Sequence, residues 1–382
     1  MRIAVIGAGV LGLCAAYQLM KHGDEVVLIE RERPCAGASG RSFAWINANH
    51  KQPEPYHWLN RAGIAEHESL QAAHPESEQW FHQTGCLLID YTHAAPETYA
   101  GRLKEAEELS YPVRNVAAQE IRDLEPGISG DSIPQKALFF PSEGHLDIET
   151  LASFLLSELA RHGTPIISEH VESLELSNNR VRVHMADSVL ETDRVIIAAG
   201  EQSSRLAATV GARIDMADTR LPCERTHSFL GITEPGVGGV ERVIVSDRIN
   251  VRPRHDGSLF VQIPRSEHRT AEYPSSSLLN EVASAMEQEL EILTGRRIRI
   301  HDVVLSARSL PDDGLTVAGP LDRENRIFAL VTHSGMTLGP LLGRLAAEEI
   351  HGISQSMLSP FRPDRFAGSM KRVASDDFIG RQ

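Results

Sequence analysis

Residues 2–30 read RIAVIGAGVLGLCAAYQLMKHGDEVVLIE. Ile3 to Ile6 is an unbroken apolar run, the pattern of a strand buried on both faces as parallel strands are. Gly7-Ala8-Gly9-Val10-Leu11-Gly12 follows without a spacer. Apolar residues then recur at helical spacing from Leu11 to Lys21, and Val26 to Ile29 is a second buried strand ending at Glu30, with Arg31 beside it. This is one βαβ unit. Gly7 suits the tight turn, Gly9 lets the backbone approach a pyrophosphate, and Gly12 lets the helix pack closely on the strand. The N–H groups and dipole of a helix opening at Val10 and Leu11 favour phosphate charge. Glu30 falls about 20 residues on, where a carboxylate accepts hydrogen bonds from ribose hydroxyls.

The whole chain bounds what such a unit belongs to. At 382 residues there is room for two domains or one large one with sizeable cores. A formal charge of -14 argues against a nucleic-acid or anionic-membrane partner, which would need a wide basic surface. No stretch is long and apolar enough to span a bilayer. Ile3 to Met20 has the apolar character of a signal-peptide core, but it holds the nucleotide fingerprint and ends in no credible cleavage site. The expectation is a cytoplasmic protein. Cys14, Cys35, Cys86 and Cys223 stand far apart with no CxxC pair, and the 17 histidines form no HExxH-like pair, so neither a disulfide framework nor a metal is expected.

Along the chain, Arg31 to His50 (RERPCAGASGRSFAWINANH) is rich in small residues and broken by Pro34, Gly37 and Gly40, a loop beside the dinucleotide site. Tyr56 to Ala73 reads as a helix, Cys86 to Asp90 as a short strand and Pro96 to Leu109 as a solvated helix. Val113 to Val116 and Ala117 to Leu124 repeat strand and helix before Pro126. With no chemical motif, this region reads as an inserted domain. Asp147 is placed to cap an amphipathic helix, Ile148 to His162, that Gly163 ends. Strands follow at Pro165 to Ser168, Val171 to Leu176 and Val181 to Ala186, the last two joined at Asn178-Asn179. Asp193 to Gly200 (DRVIIAAG) is another buried strand, whose small final residues Ala199 and Gly200 suit either a ligand at the sheet edge or close helix packing. From Arg213 to Ile300, strands with longer polar loops (Ser228 to Ile232, Val243 to Val245, Ile249 to Arg252, Ser258 to Pro264) and a helix, Ser277 to Leu293, read as an antiparallel second piece of the insertion. Ile298 to Arg308 then leads back toward the first domain.

The final block repeats the opening motif. Arg326 to Val331 is a buried strand, and Thr332 to Pro340 (THSGMTLGP) is a glycine-punctuated approach to a helix from Leu341 to His351. A second helix start would offer backbone N–H groups to another anionic or electron-rich part of a ligand. A nicotinamide dinucleotide has no use for it. A flavin does, because reduction puts negative charge on its N1–C2=O edge.

With these motifs the chain resembles the D-amino-acid oxidase superfamily of flavoproteins, whose members include glycine oxidase, sarcosine oxidase and bacterial D-amino-acid dehydrogenases. The likeness rests on GAGVLG and Glu30, the GASGRS loop, PSEGHLD, the Val171 strand, VIIAAG, ARSLPDDGLTVAGP, THSGMTLGP and PFRPDRF. It implies an α/β fold of two interleaved domains: a Rossmann-like FAD-binding domain (1–50, 142–212 and 301–382) and an α+β substrate domain built on an antiparallel sheet (51–141 and 213–300). It implies that Gly7, Gly9 and Gly12 hold the pyrophosphate and Glu30 the adenosine ribose, and that Ser39, Gly40, Arg41 and Ser42 line the flavin and its phosphates. Val171 resembles an adenine-contacting strand residue, Ala199 and Gly200 the backbone near the dinucleotide, and Gly335, Met336, Thr337 and Leu338 the loop at the flavin's pyrimidine edge. No cysteine follows Cys223, so the FAD is expected to be non-covalent.

The resemblance also implies that Arg308 pairs with a substrate carboxylate, for which a guanidinium fork is well shaped. Departures accompany it. Asn250 stands where relatives have a tyrosine that touches the carboxylate. Trp45 replaces small or histidine side chains near the reactive face, either walling the pocket or packing. Arg225, Arg252 and Arg254 are either partners for a second acidic group or solvated strand residues. The implied reaction is oxidation of a C–N bond in an amino acid or carboxylate-bearing secondary amine by hydride transfer to flavin N5, with the imine then hydrolysed. Such chemistry asks for positioning more than for a strong base. Oxidation of a 2-hydroxy acid, or service as the flavin-bearing subunit of a larger dehydrogenase, are the alternatives. Whether oxygen, a quinone or a protein accepts the electrons, and whether the chain forms homo- or hetero-oligomers, stays open.

Overall fold

A computed structural model describes residues 1–91, 96–272 and 274–367. The expected nucleotide domain therefore continues, beyond residue 367, outside the described residues. Its sheet has six strands in the order Val317–Pro320, Ile327–Val331, Arg194–Ile197, Arg2–Ile6, Glu25–Ile29, Ile166–Ile167. Every neighbouring pair is parallel except the first. Alternation in the opening strand assigns its two faces. Ile3 and Val5 pack against the helices Val10–Lys21, Ile148–Arg161 and Gly335–Ile350, while Ala4 and Ile6 meet the core of a three-stranded antiparallel sheet, Val171–Ser177, Arg180–Met185 and Val189–Thr192. Residues buried on both sides explain the unbroken apolar run.

The second large sheet has eight strands. Their order is Ile300–Ala307, His227–Thr233, Leu259–Gln262, Asn250–Pro253, Val243–Ser246, Cys86–Ile89, Lys136–Phe140, Arg114–Ala117. Its pairs are antiparallel apart from Val243–Ser246 beside Cys86–Ile89. The helix Ser276–Thr294 covers one face, burying Leu278, Val282, Met286 and Leu290 with Phe229, Val251 and Val261. Ser275 caps its first turn through Leu278 N–H at 3.2 Å, and Gly295 ends it at φ +68°. Ile300–Ala307, read from the sequence as part of the return to the nucleotide domain, pairs along its length with His227–Thr233. The chain leaves this sheet only at Arg308.

Asp147 caps Ile148–Arg161 by accepting from Glu149 and Thr150 N–H, each at 3.2 Å. The loop read from Arg31 to His50 contains a short strand, Trp45–Ile46, which joins Gly144–Leu146 and Phe81–His82 in a small sheet. Strands of two or three residues carry no periodicity to read.

The largest departure from expectation is at the last helix, which begins at Gly335 and runs to Ile350 with Pro340 inside it. From the sequence Pro340 is expected ahead of the helix, whereas inside one a proline removes the N–H that would bond the carbonyl four residues back. That carbonyl belongs to Met336, and it accepts instead from Nε2 of His67, at 2.7 Å, on the helix Glu54–Ala73. The two helices touch closely there, since a Cβ on Gly63 would lie 2.5 Å from the Thr337 carbonyl oxygen. Among the described residues, no helix is long and apolar enough to cross a membrane.

Candidate active site

The opening strand lies between Arg194–Ile197 and Glu25–Ile29, so the glycine loop crosses the carboxyl edge of the sheet. Gly7 adopts φ +101°, and a Cβ there would lie 2.5 Å from the Ala198 carbonyl oxygen. A Cβ on Gly12 would lie 1.8 Å from the Gly7 carbonyl oxygen, so loop and helix interlock through hydrogen atoms alone. The Glu30 carboxylate accepts from Ala8 N–H at 2.8 Å and from Glu32 N–H at 3.0 Å. Ser39 Oγ accepts from Val10 N–H at 3.0 Å. The loop is thus shaped by its own acid and by a serine of the next loop.

At the second helix start, the N-cap hydroxyl does not cap its own helix. Ser334 Oγ accepts from Tyr56 Oη at 2.7 Å, and Ser334 N–H donates to Thr332 Oγ1 at 3.2 Å. Thr337 Oγ1 accepts from Asn47 N–H at 3.3 Å. Both helix starts open on one cavity of about 390 Å³. Gly7, Gly9, Val10 and Leu11 line it from the first, and Gly335, Met336 and Thr337 from the second. Glu30, Arg31, Ser39, Arg41 and Ser42 line it too, as do Val171, Ala199 and Gly200. The other three expected cofactor residues act behind the wall. Gly12 is the packing contact just described, Gly40 donates its N–H to Cys35 O at 3.0 Å, and Leu338 is buried against Gly63.

The eight-stranded sheet and its connections supply a different lining: Ser228, Gln262, Glu267, Ser306 and Arg308. Gln262 Nε2 donates to Ser228 Oγ at 2.8 Å. Arg308 lines the cavity with its side chain 11% exposed. Nη1 donates to the carbonyls of Glu224 at 2.6 Å and His227 at 2.8 Å, while Nη2 meets Glu267 Oε1 at 3.2 Å. Burial pushes its pKa down and Glu267 opposes the shift. His333 also lines the cavity, and burial, then the charges of Arg308 and Lys51, push its pKa down to about 3, leaving a neutral imidazole. Gln262 and Glu267 were not singled out from the sequence, because no motif surrounds them, and in THSGMTLGP Gly335 to Leu338 were named and not His333.

Trp45 lines the cavity and is buried. Its Nε1 donates to Glu143 Oε2 at 3.1 Å, and Glu143 also accepts from the N–H groups of Ala48 and Asn49, from Asn49 Nδ2 and from Tyr111 Oη. The indole is thereby fixed from behind; both readings of Trp45, wall and packing residue, describe it. Burial raises the pKa of Glu143.

Asn250 is not brought to the cavity wall. It is buried, and its Oδ1 accepts from Ser246 N–H at 3.1 Å, closing the turn between two strands; its cross-strand partner Gln262 reaches the wall instead. None of the three other arginines lines the cavity. Arg225 pairs with Asp312 at 3.2 Å, and Arg254 with Glu149 at 3.3 Å. Arg252 is no solvated strand residue. It is buried 4.4 Å from the Phe260 ring, bonds the carbonyls of Phe43 and Pro253, and has its pKa lowered to about 9 by burial and by Arg254. Asp147, read from the sequence only as a helix cap, joins Glu149 and His255 in bringing three metal-capable atoms within 4.8 Å of one another, but Arg254 already occupies Glu149 there.

A long cavity bounded by two helix starts, with a carboxylate beside one and a cation near the other, suits a dinucleotide whose far ring gains negative charge on reduction. Gly7, Gly9 and Glu30 line it at the first start and Gly335 to Thr337 at the second, a donor set that fits such a group. The comparisons give the family and the fold. Glycine oxidase of Pseudomonas aeruginosa is 22% identical over 368 residues, covering 92% of this chain and 95% of that one. The crystal structure of glycine oxidase from Geobacillus kaustophilus superposes with a TM-score of 0.82 at 18% identity, covering 95% of this chain and 99% of that one. That of L-proline dehydrogenase from P. horikoshii does so with a TM-score of 0.79 at 18% identity, covering 96% and 97%. Residues 2–349 match the DAO family of FAD-dependent oxidoreductases, and the chain belongs to that family.

Proposed function

We propose that this enzyme oxidises the carbon–nitrogen bond of a small amino acid, or of a secondary amine that carries a carboxylate. One observation carries the reading: Arg308 lines the same cavity as both helix starts, so a cation suited to a carboxylate stands in one chamber with the cofactor cradle. Bound FAD supplies the acceptor for the hydride leaving the substrate's α-carbon.

The chain's own part is positioning. The carbonyls of Glu224 and His227 hold the Arg308 guanidinium, which orients the substrate through its carboxylate. The Gly335 helix start presents N–H dipoles where negative charge develops. Trp45, tied to Glu143, gives a rigid apolar wall that keeps water from that face. His333 is a poor base at neutral pH, so it is not the group that takes a proton from the substrate nitrogen. The likeness to glycine oxidase supports the same class of substrate.

The test is anaerobic mixing of flavin-loaded enzyme with panels of primary and N-substituted amino acids, with 2-hydroxy acids alongside. Bleaching of the flavin by amines and not by hydroxy acids is expected. Bleaching by hydroxy acids alone, or by neither panel, refutes the proposal. With an active amine in hand, Arg308→Met should lower kcat/KM by roughly 100-fold or more, the scale of losing a buried charge-assisted contact.

A further inference from the structure

The part of the cavity wall contributed by the eight-stranded sheet holds one charge of each sign. Arg308 and Glu267 meet at 3.2 Å with their side chains 11% and 16% exposed, and both line the cavity. Backbone carbonyls fix the arginine independently of this contact. Glu267 is fixed by another device. It sits midway along a 3-10 segment, Pro264–Ala271, that is stapled to the helix Ser276–Thr294 on either side of it. Arg265 pairs with the buried Glu289, and Arg269 with Glu281 at 3.0 Å. Thr270 Oγ1 adds a bond to the Glu267 carbonyl at 2.8 Å. Residues 265 and 269 grip the helix while residue 267 faces the cavity.

A pocket made only to seize a carboxylate would leave its arginine uncompensated. Here the charges of Arg308 and Glu267 balance before a ligand arrives, and the neighbouring His333 is neutral. A plain monocarboxylate must then displace Glu267 or lie against it, carboxylate to carboxylate, which is costly where water is scarce. A ligand whose carboxylate comes with an adjacent positive charge meets both partners in place. Resting on the reading of Arg308 as the carboxylate partner, we propose that Glu267 is a specificity residue of this site, selecting zwitterionic ligands and rejecting plain anions through repulsion at Arg308.

The test uses an isosteric pair: betaine, (CH3)3N+–CH2–COO−, and 3,3-dimethylbutyrate, in which carbon replaces the nitrogen. The betaine nitrogen has no lone pair to assist hydride loss, so neither probe turns over. Dissociation constants are read from perturbation of the flavin absorbance of the holoenzyme at neutral pH and fixed ionic strength. Wild type is expected to bind betaine about tenfold more tightly or better, and Glu267→Gln to reverse the order by weakening betaine and tightening dimethylbutyrate about tenfold. The same order in both proteins, a wild type that prefers dimethylbutyrate, or no perturbation by either probe overturns the inference. Should Glu267→Gln fail to retain flavin, the wild-type preference alone decides. Arg308→Met separates the inference from the reading beneath it. If it abolishes binding of both probes, the carboxylate site stands even where the Glu267 result fails; if both bind it as they bind wild type, that site and the inference fall together.

Discussion

The helix start at Val10 is finished by residues close by in the chain: Glu30 and Ser39 bond it, and Gly7 and Gly12 touch. The start at Gly335 is finished from afar, by Asn47, Tyr56 and His67, at separations of 290, 278 and 269 residues. The first is a local device that a short peptide pattern encodes in full. The second has no such autonomy. It carries a proline that local rules forbid, and it exists because another helix supplies the missing donor. One cavity is therefore closed by a part that specifies itself and a part that the tertiary fold specifies.

The most damaging way to break the first is Gly12→Val, which drives side-chain carbon into the Gly7 carbonyl. Overpacking of this kind costs about 1–3 kcal/mol or more, and here it falls on the cradle itself. Protein purified with essentially no flavin is expected, read from the ratio of flavin to protein absorbance; a normal ratio would show that the interlock is dispensable.

The second start is tested by a cycle. His67→Leu leaves the Met336 carbonyl buried and unpaired, at a cost of about 1–3 kcal/mol in urea unfolding. Pro340→Ala in that background restores the native N–H donor and should recover about 1 kcal/mol. In the wild-type background the same change should gain much less, because Met336 is already paired. Equal gains in both backgrounds would mean that His67 and Pro340 are uncoupled.

Acid sharpens the same point. Burial, partly opposed by the bond to Met336, lowers the His67 pKa from the usual 6.5 to about 4. Between those values the unfolded chain binds the proton and the folded chain refuses it. Stability is therefore lost as pH falls through that window, with a slope approaching ~1.4 kcal/mol per pH unit. His67→Leu lacks this contribution, so its urea midpoint should converge on that of wild type between neutrality and pH values of about 4. Parallel curves would contradict a neutral, buried His67.

The smallest effect expected is from Tyr56→Phe, which removes the donor to Ser334 while keeping the ring. A loss of about 0.5–1.5 kcal/mol should appear in unfolding, with flavin retained.

The same contrast explains what could be read in advance. The fingerprint from Ile3 to Glu30 was legible because each constraint is a residue type at a fixed short spacing. The last helix starts at Gly335, six residues before the expected Leu341, because glycines followed by Pro340 read as an entry segment unless His67 is known to lie opposite. Arg308 reaches the cavity as the motif implied, yet its companion Glu267 lies in PRSEHRTA, a polar stretch like any solvated loop. Asn250 was singled out because relatives carry a tyrosine there, whereas a turn bond to Ser246 holds it away from the wall and Gln262 takes that place. Arg252 looked solvated because burial of a cation over Phe260 has no one-dimensional signature.

Strand order carries a consequence for biosynthesis. Arg2–Ile6 is made long before its neighbour Arg194–Ile197, and Gly335–Ile350 emerges later still. A nascent chain that has not yet reached Gly335 thus holds the first helix start with no opposite wall. Closure of the cavity therefore waits for Gly335, and a release that stops short of it leaves the chamber without its second helix start.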